Sequence, residues 1–76
     1  LRGETLDEAK IDLDRFLDDA LEMGLGKVYV IHGHGTGTLK NGLRQYMRRL
    51  KKVESFRPGG RGEGGDGVTV CKLRMP

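Results

Sequence analysis

The stretch that most constrains this chain is "KVYVIHGHGTGTLK", from Lys27 to Lys40. Its first five residues, rich in β-branched side chains, read as a strand over 27–31. Glycine then takes every second place, at Gly33, Gly35 and Gly37, a spacing that weakens any helix or strand laid across it. Beyond the glycines, Leu39, Leu43, Tyr46, Met47 and Leu50 recur at three- and four-residue intervals, so residues 38–50 read as a helix with those side chains inward. A strand that turns through glycines into a helix is half of an α/β unit. In open α/β sheets such turns lie at the carboxyl ends of strands, where ligands bind.

The remaining elements complete that unit. Residues 5–23 read as an amphipathic helix whose inner face is Leu6, Ala9, Leu13, Phe16, Leu17, Ala20 and Leu21. Thr5 followed by Glu8 is a capping-box pattern, Asp7 and Glu8 suit the positive helix end, and Gly24 and Gly26 stop the helix. Asp12, Asp18, Asp19 and Glu22 read as its solvated outer face. Residues 53–57 and 67–73 read as two further strands, most simply a hairpin. Their connection, "PGGRGEGGDG", is too glycine-rich to hold a packed conformation unaided. Leu1-Arg2-Gly3 reads as the stub of a first strand, and the chain as a fragment of something longer. The order β-α-β-α-β-β follows. Right-handed crossovers place the first two strands parallel and the hairpin makes the sheet mixed, giving a two-layer α/β sandwich. At 76 residues this is one domain with a thin core. No apolar run nears the ~18 residues of a membrane span and no signal-peptide pattern is present, so a cytoplasmic protein is expected. The single cysteine, Cys71, lies in an apolar alternating run and reads as a buried, inert thiol.

Charge is divided unevenly. Residues 1–26 hold eight acids and three bases, whereas residues 27–76 hold three acids and eleven bases. The basic side suits a polyanion, or is ordinary solvated charge. Lys40, Arg44 and Arg48 stand at steps of four and align along one exposed side of the second helix. Arg49, Lys51 and Lys52 extend the charge at its far end. Arg61, Glu63 and Asp66, on the glycine-rich connection, are contact candidates or part of an untethered loop.

The glycine turn has the makings of an anion site. Gly33, Gly35 and Gly37 allow positive φ and close backbone approach, and the amides through His34, Thr36 and Thr38 lead into a helix amino end. Thr36 and Thr38 are placed to cap that helix or to bind a phosphate oxygen. A nucleotide P-loop is not expected, because Thr38 and Leu39 stand where Lys and Ser or Thr belong. The dinucleotide fingerprint fails on glycine spacing. Polymer phosphate fits better, since the helix leaving the loop carries the basic row; the alternative is a tight turn that binds nothing. His32 at the end of the strand is placed to move a proton beside a bound phosphate, or to hydrogen-bond the backbone. His32 and His34 alone, without Cys or carboxylate at ligand spacing, do not make a metal site. Arg2, at the end of a neighbouring parallel strand, is placed to face the same cradle with a bidentate guanidinium, or is a surface arginine.

Three motifs, "LRG" at 1–3, "IHGHGTGTLK" at 31–40 and "GGDGVTV" at 64–70, together resemble the small-MutS-related (Smr) domain along essentially the whole chain. Arg2, where most members carry histidine, and "RFLDDAL" at 15–21 are similar to the version at the C-terminus of second-type bacterial MutS homologues. The resemblance implies a βαβαββ fold like the C-terminal domain of translation initiation factor three, and a DNA-nicking or RNA-cleaving endonuclease. It implies catalytic roles for His32 and Arg2, phosphate binding by residues 33–38, and backbone contacts from Lys40, Arg44, Arg48, Lys51, Lys52 and Arg61. No cofactor is expected in this domain beyond a divalent metal that the residues do not locate, with ATP confined to a parent ATPase core. Expected partners are DNA, branched or duplex, and ribosomal RNA or the ribosome, with no membrane. The domain is expected to be monomeric within a homodimeric parent acting on recombination intermediates. The alternative is a binding module without catalysis that acts on stalled ribosomes.

Overall fold

The first helix begins at its capping box. The Thr5 hydroxyl accepts the Glu8 amide at 3.2 Å, and a Glu8 carboxylate oxygen accepts the Thr5 amide at 3.0 Å. In the computed structural model, which describes residues 5–33 and 37–75, this launches α1 (Leu6–Glu22). Gly24 ends it at φ +77°, with the Leu25 amide closing on the Ala20 carbonyl at 2.9 Å. There follow β1 (Lys27–Ile31), α2 (Thr38–Arg49), β2 (Val53–Pro58), a single 3-10 turn (Gly65–Gly67) and β3 (Val68–Leu73). Both helices fall within a residue of their expected ends.

The strands lie in the order β1-β3-β2, and both pairings are antiparallel. The expected hairpin of β2 and β3 is present, with β3 central. Among the described residues the sheet is antiparallel throughout. The strand that makes it mixed, expected at 1–3, lies outside them.

Alternation decides which side chains meet the helices. Val28 and Val30 of β1, Thr69, Cys71 and Leu73 of β3, and Val53 of β2 are buried, and all but Thr69 belong to one apolar core. That core includes Ala9, Leu13, Leu17 and Ala20 of α1 with Leu43 and Met47 of α2. Full burial of each large member contributes roughly 1.5–3 kcal/mol. Cys71 is fully buried, 3.2 Å from the Met47 sulfur, and burial pushes its thiol up to about 11, so it is inert as expected. The helices cross closely at Gly42, where an added Cβ would lie 2.6 Å from a Leu6 methyl.

Two expectations change. Phe16 is not core. It is 45% exposed and lines a shallow groove with Asp12, Tyr29, Val30 and Ile31. Among the described residues the buried α1 stripe is therefore narrower than the spacing suggested, being Ala9, Leu13, Leu17 and Ala20. The glycine-rich connection is also tethered. The Glu63 carboxylate takes both Arg57 terminal nitrogens (2.8 and 3.0 Å) and the Gly60 amide (2.7 Å). The Arg57 guanidinium first, and the Gly60 amide next, bring its pKa down to about 2.

Candidate functional site

β1 ends at Ile31, and His32 turns its ring inward, leaving 4% of the residue exposed. The His32 and Gly33 amides both donate to the Gly67 carbonyl, at 3.2 and 2.9 Å. The ring lies between two partners at 2.8 Å, Nδ1 at the Gly33 carbonyl and Nε2 at the Thr69 hydroxyl. A carbonyl only accepts, so the proton is on Nδ1, and Nε2 accepts the Thr69 hydroxyl proton. The Thr69 oxygen in turn accepts the Arg44 Nε–H at 2.8 Å. One directed chain therefore runs from Arg44 through Thr69 and His32 to the Gly33 carbonyl. Burial above all, with the Arg44 and Lys40 charges, holds the His32 pKa below 6.5, against the opposing pull of the Gly33 carbonyl and Asp66. The imidazole is neutral at pH 7.

Arg44, held at Nε, directs its terminal nitrogens at an Asp66 oxygen, at 3.4 and 3.5 Å. Lys40, one turn earlier on α2, makes a short ion pair with the other oxygen. Asp66 lies in the 3-10 turn just before β3, so the two cations grip one carboxylate. Lys40 first, then Arg44, keep its pKa below the ordinary value. Their side chains are only 19% and 16% exposed, against 52% for Asp66. The expected exposed row is thus half-buried at this end, because α2 lies directly over Thr69 on β3. The same end of the sheet carries the start of α2. Its N-cap is Gly37 at φ +87°, which has no side chain to cap the first turn. The helix amino end adds positive potential beside Lys40 and Arg44.

A family model for the Smr domain matches residues 1–74. The chain belongs to the Smr domain family. It is 50% identical over 74 residues to the endonuclease MutS2 of Brevibacillus brevis, covering 97% of this chain and 9% of that protein. With the endonuclease MutS2 of Symbiobacterium thermophilum it shares 54% over 74 residues, with the same coverage. The chain therefore spans about a tenth of the length of these curated relatives. The crystal structure of the Smr domain of Thermus thermophilus MutS2 superposes with a TM-score of 0.94 at 47% identity, over 97% of this chain and 92% of that one. YdaL, a stand-alone small MutS-related protein from Escherichia coli, shares the fold. Its TM-score is 0.88 at 22% identity, over 99% of this chain and 63% of that one.

Of the residues singled out from the sequence, this Smr domain brings His32, Lys40 and Arg44 together at the start of α2, with Gly37 and the exposed Thr38 beside them. Gly33 contributes its carbonyl to His32 and its amide to Gly67, so that amide is not aimed at a ligand. Arg2, His34, Gly35 and Thr36 lie outside the described residues. Arg48 continues the row, its guanidinium 5.9 Å from the centre of the Phe56 ring. Lys52 is committed elsewhere, to Asp18 at 2.7 Å and Asp14 at 3.4 Å on α1. Lys51 and Arg61 are exposed. Glu63 and Asp66, considered for nucleic-acid contact, hold the loop and the two cations. No group of three metal-ligating side chains exists among the described residues. Sequence reasoning missed Thr69. The available signal was its phase: in "VTVCKL" it alternates in step with the buried Cys71 and Leu73, which makes it a buried hydroxyl in need of partners.

Proposed function

We propose that this Smr domain is a nucleic-acid endonuclease module that nicks the phosphodiester backbone, within a MutS-related ATPase acting on recombination intermediates. The observation that carries the reading is the carboxylate of Asp66 held between Lys40 and Arg44 beside the amino end of α2. A pair of cations arranged to grip two carboxylate oxygens matches the needs of a phosphodiester. Phosphate replaces Asp66 there, and Arg48 extends the track along α2. Arg2, carried over from the family's N-terminal motif, adds charge against the negative charge that grows on phosphate in the transition state. His32, neutral near pH 7, takes a proton from the attacking water as the water oxygen bonds to phosphorus and one sugar oxygen leaves. To do so, Nε2 must first release the Thr69 hydroxyl.

One observation favours a second reading, a nucleic-acid or ribosome-binding module without catalysis: both His32 nitrogens are already engaged and the ring is buried. Nicking of supercoiled plasmid, with and without chelator, decides between them when measured beside a binding curve over a salt series. The endonuclease reading expects nicking by the wild-type chain, and loss of nicking with retained binding in His32→Ala. Binding without nicking by the wild-type chain selects the second reading. Full nicking by His32→Ala removes the proton-transfer role.

A further inference from the structure

We infer that Thr69 is the positioning residue of this site, fixing how Arg44 presents its guanidinium and bracing the unprotonated nitrogen of His32. The inference rests on the endonuclease reading only for its activity arm. Thr69 is fully buried in the central strand and touches no solvent, so it cannot itself meet a nucleic acid. Its hydroxyl nevertheless stands 2.8 Å from the two side chains that matter most, His32 Nε2 and Arg44 Nε.

The direction of each hydrogen bond follows from what the partners can do. Arg44 has donors only, so the Thr69 oxygen must accept from it. Nδ1 faces the Gly33 carbonyl at 2.8 Å, and a carbonyl only accepts, so in the neutral ring Nδ1 carries the proton. The Nε2 lone pair is then left to take the Thr69 hydroxyl proton. For the neutral ring this assignment satisfies all four groups at once. A histidine is paired with an arginine through a group that can accept from one and donate to the other, and a hydroxyl does both. Valine has the same shape and does neither.

The arrangement has two consequences. With Nε pinned, the Arg44 terminal nitrogens are the ones aimed at Asp66, the position assigned above to phosphate. With Nε2 held as well, the His32 ring supports the turn at Gly33, φ +76°, from inside. The register makes this possible. Thr69 pairs with Val30 in β1, two residues before His32, and α2 lays Arg44 over the same point.

The test compares Thr69→Val, which keeps shape and loses the hydroxyl, with Thr69→Ser, which keeps the hydroxyl. Long-range proton–nitrogen NMR on the 76-residue chain reads the His32 tautomer directly. In the wild-type chain we expect a protonated-type Nδ1, an unprotonated-type Nε2 and a slowly exchanging Arg44 Nε–H. Thr69→Val should leave the proton on Nδ1, where the Gly33 carbonyl holds it, but shift the Nε2 resonance and expose the Arg44 Nε–H to exchange, and Thr69→Ser should restore the wild-type pattern. Nicking turnover should fall by up to about 100-fold in Thr69→Val, the scale on which a misplaced site group acts, and recover in Thr69→Ser. A wild-type Nε2 that carries the proton overturns the inference, even if Thr69→Val does not fold. An unchanged Arg44 Nε–H exchange rate in folded Thr69→Val, or no restoration by Thr69→Ser, overturns it too. If the wild-type chain binds but does not nick, the endonuclease reading fails, while the Arg44 exchange result still decides the role of Thr69.

Discussion

Replacing Asp66 with Asn tests whether the two cations beside it serve nucleic acid. Asp66 bridges Lys40 and Arg44, and those charges hold it ionised well below neutral pH. In the wild-type chain a phosphate must displace this carboxylate before it can use either cation. Asn keeps the shape and removes the charge. Arg44 stays in place because Thr69 holds its Nε independently. Lys40 loses its anion and is left facing the amino end of its own helix, where a cation is unfavourable and a phosphate welcome. Asp66→Asn should therefore bind duplex DNA more tightly.

Each phosphate neutralised on a duplex steepens the fall of log affinity with log salt by about 0.9. The one phosphate that takes the place of the Asp66 carboxylate therefore steepens it by about 0.9. Between 50 and 200 mM salt the advantage of the variant over wild type should then shrink about 3.5-fold. Fluorescence anisotropy with a labelled duplex over a salt series measures both the affinity and the slope. An unchanged slope, or binding weaker than wild type at low salt, refutes the assignment of Lys40 and Arg44 to the phosphate track. In that case their grip on Asp66 is a structural clamp on the 3-10 turn.

Two further outcomes can be checked by unfolding. Gly42→Ala gains about 1 kcal/mol of helix propensity but drives a methyl to 2.6 Å from Leu6, whose backbone is pinned by the capping box one residue away. Overpacking costs roughly 1–3 kcal/mol, so the variant should be net destabilised by up to about 2 kcal/mol, and Leu6→Ala in the same chain should recover part of that; a gain in midpoint for Gly42→Ala alone contradicts the close crossing. The second outcome concerns pH: because folding depresses the His32 pKa below 6.5, the stability tied to its neutral ring is complete above that value and is lost as pH falls through it toward the folded pKa. Unfolding free energy should decline over that window, by at most ~1.4 kcal/mol per pH unit from this one group, and His32→Gln should flatten the decline, whereas Glu63 and Asp66, shifted downward, act only below the ordinary carboxylate range.

The elements were legible because each rests on a local rule. The capping box at Thr5 and Glu8, the glycine stop at Gly24 and the β-branched run at 27–31 need no knowledge of the rest of the chain. The buried Cys71 followed from simple alternation. The core assignment failed at Phe16, because periodicity gives the direction of a face and not the width of the sheet that covers it. Lys40 and Arg44 were read as exposed for the same reason: step-four spacing places them on one side, and only the position of β3 shows that this side is half-covered. Lys52 follows in the same basic run yet pairs with Asp14 and Asp18, a contact across elements that no local pattern encodes. Glu63 gave no signal at all beyond being an acid among glycines. Its partners, Arg57 and Tyr29, meet it only because the outer face of the sheet brings Tyr29, Val70 and Arg57 into one row.

The separation of charge along the chain has a structural meaning once these partners are known. The acids of α1 are drawn on at one place, where Asp14 and Asp18 hold Lys52 and Asp14 hydrogen-bonds Tyr46. That stitches the far end of α2 to α1 and consumes a cation that looked available. At the near end, Lys40 and Arg44 are held by a single half-exposed carboxylate in the 3-10 turn. The two ends of α2 therefore differ in kind: one is fastened to a neighbouring helix, the other to a half-exposed carboxylate. A nucleic acid that followed the whole run from Lys40 to Lys52 would have to break both, but one that used only Lys40, Arg44 and Arg48 needs to displace Asp66 alone. Neutralising Lys52 should accordingly lower stability and leave the salt slope of binding unchanged, the reverse of the pattern argued for Asp66.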